Sequence, residues 1–463
     1  MATILYYHPL SPPCRSVLLL ARMLDIEFDL RSINILEKEQ LNQEFVAINP
    51  QHTIPTMDDH GLVLWESRVI LTYLCSSFAK DDSLYPKDVR ARALVDQRLQ
   101  FDLGTLHRRM QDYVEPTFAY GAYLDEKKKL KITEALDWLN TMLNNGKKWV
   151  AGPKMTLADI CLCVTVNQIQ AFGIDIQSHS NVVEWMQRCK AELEPHGFEF
   201  CAADAHLRTT FQSNGSCIVL VNEENVIQRT VPRLFYAAMS PPSRMVRIVA
   251  QVIGLPLDLK LVNLEGGSEP KDFLEINPQH CLPTLDDDGI VLWESRAIAT
   301  YLISTYAKSD DLYPRDPKRR APVDHMLQFD LGTLYARIND YYGDILYRSR
   351  MPDPRKLSAL TEAIQIYETI LLTRKWAAGD TFTVADISLC QSFCQLEAFE
   401  YGLARFPRTN IWYKAVQQQL KPFGYDEINQ KVMSQWRAML KAETDKTTTD
   451  RYLEHRKSVM SNS

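Results

Sequence analysis

Near its start the chain switches between two hydrophobic periods, and the switches outline a small α/β unit. Thr3–Tyr7 reads as a strand, and Ser11-Pro12-Pro13 then opens a helix whose Leu18, Leu19, Ala21 and Leu24 share one face. A second strand is expected at about 27–33. Two short strands, at about 56–58 and 62–64, meet across a turn at Gly61. A helix beginning at Glu66-Ser67 closes the unit near Phe78, and Asp81–Asp88 is a polar connector carrying Pro86. Beyond it the pattern is helical. Ala91–Tyr113 and Glu126–Leu143 are long amphipathic runs, and Thr156-Leu157-Ala158-Asp159 is a capping signal ahead of the apolar run Ile160–Ile169.

The plan is then repeated. Residues 49–74 and 277–302 share 19 of 26 positions, and the constant offset of 228 carries the match on to 82–106 and 310–334. So long a period marks a duplicated protein rather than a stackable repeat. The second copy has a strand at Arg233–Tyr236, Ser240-Pro241-Pro242, a helix at Glu294-Ser295 and a cap at Thr383-Val384-Ala385-Asp386. The expected fold class is α/β plus all-α, repeated twice. The expected bounds are 1–80 and 88–202 for the first module, 203–229 for a linker, 230–308 and 316–442 for the second module, and 443–463 for a disordered polar tail. The linker carries the turn signal Ser213-Asn214-Gly215-Ser216 and a strand candidate at Ile218–Val221.

Charge and composition narrow the partners. A net charge of −6 with no basic run interleaved with aromatics argues against a nucleic-acid binder. No run approaches the ~18 apolar residues of a membrane span. The opening MATILYYHPLSPP lacks a charged leader, so no secretory signal is expected. Ten cysteines suit an intracellular chain. Cys161 and Cys163, like Cys390 and Cys394, lack a second pair at zinc spacing and read as buried hydrophobes, so no metal site is expected. Cys201 and Cys217 lie in or beside the linker.

Three groups carry chemistry. Ser11 stands where a helix N-terminus favours an anion, and its hydroxyl can donate to a thiolate. Lowering a thiol pKa by two units takes about 2.7 kcal/mol, within reach of one charge-assisted bond plus the helix end. Ser11 equally reads as a plain N-cap. His52-Thr53-Ile54-Pro55 suits a cis proline whose preceding residue pairs with an extended peptide, or else a simple turn. Glu66-Ser67-Arg68 suits a zwitterionic amino-acid terminus, or else a capping pair. The second copy repeats the set as Ser240, His280, Pro283, Glu294, Ser295 and Arg296.

Together SPPCRSV, NPQHTIPT, VLWESR, FDLGTL and TLADI resemble the cytosolic glutathione transferases of the insect delta/epsilon type, over roughly 1–200 and 230–442. The resemblance implies a thioredoxin-like, glutathione-binding domain followed by a helical domain for the electrophile, twice. It implies that Ser11 and Ser240 stabilise the glutathione thiolate and that His52 and His280 approach the glycyl end. Ile54 and Leu282, before Pro55 and Pro283, would pair with the cysteinyl part. Glu66-Ser67 and Glu294-Ser295 would hold the γ-glutamyl end, supported by Arg68 and Arg296. Asp102 and Asp330 match an aspartate near the dimer interface of the family. Where many relatives carry a further histidine, this chain has Gln40 and Ser268. The electrophile pocket is expected to differ between modules, with His107, Arg108 and Val114 in one and Tyr335, Ala336 and Tyr342 in the other.

The resulting expectation is a cytoplasmic glutathione transferase with two catalytic modules, conjugating glutathione to small hydrophobic electrophiles in detoxification. Glutathione would be the co-substrate, with no metal, nucleic-acid or membrane partner. The modules are expected to pack as an intrachain pseudo-dimer, with Asp102 near the second glutathione site and Asp330 near the first. The alternative is a binding or scaffold protein of the same fold, with one or both modules of low turnover.

Overall fold

A computed structural model of the chain describes residues 3–35, 37–120, 124–144, 147–198, 231–262, 273 and 276–461. The linker with its strand candidate, Ser268, Cys201 and Cys217 lie outside the described residues. In the first module β1 (Thr3–Tyr7) runs parallel to β2 (Phe28–Ser32) and antiparallel to β3 (Thr56–Asp59), which pairs with β4 (Leu62–Trp65). The sheet order is β2-β1-β3-β4. The second module repeats it as β6-β5-β7-β8, with β5 at Arg233–Tyr236, β6 at Asp258–Leu261, β7 at Thr284–Asp287 and β8 at Ile290–Trp293.

Local chemistry explains these elements. The β3–β4 hairpin turns on His60 and Gly61, both at positive φ, as the two-residue turn that matches strand twist requires. Asp288 and Gly289 do the same in the second copy. Leu5, Met57 and Leu64 are cross-strand neighbours with fully buried side chains, and the Pro12–Met23 and Ser67–Phe78 helices add Val17, Leu20, Ile70 and Leu74 to that core. In the helical domains Thr156 with Asp159, and Thr383 with Asp386, form full capping boxes. Each aspartate also accepts from a buried indole, Trp185 at 2.9 Å and Trp412 at 2.8 Å.

Two sequence expectations fail here. The run expected at 91–113 is not one regular helix. It widens into a π-helical stretch at Asp102–His107 between Val89–Phe101 and Arg108–Tyr120, and Asp330–Leu334 repeats the feature. The residues from 443 do not form a loose tail but continue the helix Tyr425–Ser461. Tyr425, Ile428, Val432 and Trp436 anchor that helix in the core, and the Glu, Lys and Arg that follow extend a nucleated helix at little cost.

The modules pack against each other along a reciprocal seam. The Ser67–Phe78 helix meets Pro317–Phe329 of the other module, and Val89–Phe101 meets Ser295–Tyr306. At its centre Leu331 lies against Gly104 and Leu103 against Gly332, the exchange of contacts a two-fold interface requires. Trp65 joins the second module's core, edge-on to His325 at 4.1 Å, while Trp293 joins the first, under the Arg98 guanidinium at 5.1 Å. A cleft of 660 Å³ runs along the seam, lined from both modules by Tyr85, Arg92, Tyr313 and Arg320.

Candidate functional site

Strand register brings three loops to one edge of each sheet. Tyr6 pairs with Thr56, and Thr56 with Trp65, so the ends of β1 and β4 and the start of β3 coincide. Ser11, the Ile54-Pro55 turn and Glu66-Ser67 therefore border the same side. Phe235, Thr284 and Trp293 place Ser240, Leu282-Pro283 and Glu294-Ser295 likewise. Two helix N-termini, at Pro12 and Ser67, converge there and favour negative charge.

Ser11 is half-buried, and its hydroxyl oxygen accepts from the Cys14 amide at 3.5 Å; Ser240 accepts from Ser243 at 3.3 Å. The cap uses the oxygen, so the hydroxyl proton stays available to an anion. Cys14 is no rival nucleophile, because burial pushes its thiol up to about 11, and the second module has a buried Ser243 in its place.

Both proline bonds, Ile54-Pro55 and Leu282-Pro283, are cis. The loop before the first is pinned by Asn49, whose amide donates to Thr53 O and Thr56 Oγ1 at 2.9 Å and whose Oδ1 accepts from Gln51 N at 2.8 Å. Asn277 repeats the arrangement with Cys281, Thr284 and Gln279. His52 and His280 follow at φ of 45° and 51°, a left-handed conformation that a histidine tolerates. Gln40 Oε1 is buried and has no partner among the described residues.

Glu66 and Glu294 sit at φ of 74° and 71° just before their helices, an unusual conformation held at both sites. Burial raises both carboxyls, Glu294 to about 7, with Arg296 pulling the other way. Arg68 binds Ser67 Oγ at 3.2 Å and Asp102 at 2.5 Å, and Arg296 binds Ser295 and Asp330 at the same distances. The two aspartates are fully buried.

Asp102 and Asp330 are expected near the other module's site, and the described contacts tie each to its own module's arginine. Asp102 and Asp330 lie at the π-helical stretches of the seam, but each charge is taken by the arginine of its own module. Asp330 also accepts from Ser388 and Ser392 at 2.5 and 2.6 Å, while Asp102 Oδ1 has no partner among the described residues. His107 is buried beside Arg68 and Asp102, and burial pulls its imidazole down to about 3. Val114 and Tyr342 lie in the cores, Tyr342 against Phe399 at 4.2 Å, and Tyr335 is half-buried beneath Arg296. These side chains show little open surface. Ala336 is half-buried, and Arg108 crosses the seam to Asp340.

Sequence reading passed over Gln51. Its amide donates to Glu66 at 3.3 Å and to Thr333 of the second module at 2.9 Å, and its carbonyl accepts from Trp65. The repeated NPQH was its only signal. In the mirror position Gln279 Oε1 and Trp293 Nε1 have no partner among the described residues.

Comparison with known proteins bears on the whole arrangement. The glutathione S-transferase N-terminal domain model matches residues 5–82 and 234–310, and the C-terminal domain model matches 105–192 and 336–419. Glutathione S-transferase D7 of Anopheles gambiae is 57% identical over 199 residues, 43% of this chain and 91% of the relative. The chain belongs to the glutathione S-transferase family. Among solved structures, Bombyx mori glutathione transferase BmGSTD1 is 50% identical, over 44% of this chain and 93% of its own, with a TM-score of 0.42. A glutathione transferase homolog from Drosophila mojavensis with bound glutathione is 33% identical over 46% and 97%, with a TM-score of 0.43. Both domain models match twice, in the same order, so the glutathione S-transferase here is a tandem duplication of two complete modules. Among the described residues, no His, Cys, Asp and Glu cluster could hold a metal and no helix is long and apolar enough to cross a membrane.

Proposed function

We propose that both modules bind glutathione and transfer its thiolate to small hydrophobic electrophiles, a detoxifying role in the cytoplasm. The observation that carries this reading is the serine cap, present in both modules with its hydroxyl proton unspent. Glutathione would lie along the shared edge, its cysteinyl part extended beside Ile54 or Leu282. Its γ-glutamyl ammonium would meet Glu66 or Glu294, and its carboxylate the hydroxyl and free amides at Ser67 or Ser295. His52 or His280 would receive the glycyl carboxylate.

The thiol proton leaves to solvent as the serine hydroxyl and the helix end stabilise the sulfur anion. The thiolate pair then forms a bond to the electrophilic carbon, and the leaving group departs with its bonding electrons. The match of both modules to the glutathione S-transferase domain models supports the choice of co-substrate. The decisive experiment is a glutathione titration of the full chain with a conjugation assay. Two sites per chain, with turnover abolished only when both serines are replaced, is the expected result. One site, or binding without turnover, would favour a partly or wholly non-catalytic protein of the same fold.

A further inference from the structure

We propose that Glu362, on the second module, is a positioning residue for the first module's glutathione site, where it holds the His52 imidazole ready to receive a ligand carboxylate. The inference rests on the assignment of His52 to the glycyl end of glutathione.

Glu362 belongs to the helix Pro354–Ile370 and reaches across the seam, its Oε1 3.6 Å from His52 Nε2. That distance is an electrostatic contact, too long for a hydrogen bond. Its other oxygen accepts from Arg337 at 2.8 Å, and Arg337 also donates to Ala359 O at 2.6 Å, so the carboxylate is fixed from behind. The His52 contact and then Arg337 hold this carboxyl down to about 2 against burial. With Nε2 facing Glu362, the ring's orientation is set and Nδ1 lies on the opposite edge for the ligand carboxylate. The loop that carries His52 is tied to the second module as well, through Gln51 and Thr333.

The mirror site lacks the device. Glu134 corresponds to Glu362, and Arg109 to Arg337, but Lys131 stands where the second module has Ala359. Arg109 and Lys131 both bind Glu134 at 2.9 Å and draw its charge back onto its own module. Among the described residues no carboxylate pairs with His280, which is exposed. Lys131 in place of Ala359 is thus one difference that makes two homologous sites unequal, and among the described residues only His52 is met by a carboxylate of the other module.

With side-chain exposures of 30% for His52 and 48% for Glu362, solvent screens the pair, so a modest effect of about twofold to fivefold is expected. The test uses the full chain with Ser295→Ala, which weakens the second site, titrated calorimetrically with glutathione and with its glycyl monoethyl ester. Glu362→Gln should weaken glutathione binding about twofold to fivefold and leave the ester unaffected, Glu362→Asp should recover most of the loss, and Glu134→Gln should change nothing. In a His52→Ala chain, Glu362→Gln should have no further effect. Unchanged or tighter binding in Glu362→Gln, or an equal loss for the ester, overturns the positioning role. A parent chain that binds no glutathione, or a Ser295→Ala chain that keeps two equal sites, overturns instead the site assignment on which the inference rests.

Discussion

Leu331 of the second module lies against Gly104 of the first, with its Cδ1 3.5 Å from where a Cβ on that glycine would stand. The spacing admits one methyl group and nothing larger. Gly104→Ala should be neutral or stabilising by up to about 1 kcal/mol, because alanine is the better helix former and its Cβ would make an ordinary contact. Gly104→Leu should cost about 1–3 kcal/mol by overpacking the seam. Urea denaturation of the two variants tests this, and a Leu variant as stable as the parent would show that the seam does not constrain this position.

The same reciprocity predicts mass. Each module already covers the other's two-fold surface, and a tether raises the partner's effective concentration to about millimolar. Light scattering in dilute solution should therefore give one chain, 53.3 kDa. A stable two-chain species would mean that the seam forms between chains.

Ser11→Ala or Ser240→Ala alone should leave roughly the rate of the untouched module. Together they should cost about 2–3 kcal/mol of transition-state stabilisation, a loss of about 30- to 150-fold in kcat/KM. Full activity of the double variant at neutral pH would remove the serines from the mechanism.

Glu294 supplies a pH dependence. Burial raises its carboxyl to about 7, so below that pH it is protonated in the free protein, whereas the ligand ammonium needs the anion. Binding at the second site should then release a proton below pH 7 and weaken by up to about tenfold per pH unit. Calorimetry at pH 6 in two buffers of different ionisation enthalpy reads the released proton directly. Glu294→Gln should remove the second site's carboxyl contribution and so reduce the release.

His325 acts on stability. Burial holds its imidazole down to about 3, against 6.5 in an open chain. Between those values the unfolded chain binds the extra proton, so the folded state loses stability as pH falls through 6.5. At pH 5 the loss is about 2 kcal/mol. His325→Gln, which installs the residue that the first module has at this place (Gln97), should be the more stable protein at pH 5 by about that amount relative to its standing at pH 7. A difference between the two that does not vary with pH would contradict the buried neutral imidazole.

What was legible in the sequence was local. Thr156 announces its helix because Asp159, three residues on, completes the cap within one turn, and Ser11 is legible for the same reason. The partner of Asp102 was not legible, because Arg68 is 34 positions away and only the folded seam shows which arginine takes the charge. The residues from 443 read as a loose tail by polarity alone, whereas their Glu, Lys and Arg also favour the helix that Tyr425 begins. Glu362 and His52 lie 310 positions apart, and no periodicity or spacing links them. Ser268 and the linker strand lie outside the described residues.

Trp65 meets His325 and Trp293 meets Arg98 because the two copies are one polypeptide. In a pair of identical chains every change to the shared surface arrives twice and must suit its own reflection. Here a change arrives once, so the two faces have drifted into partners that fit each other and no longer need to fit themselves. Half-molecules cut from this protein should accordingly prefer the opposite half to a copy of their own.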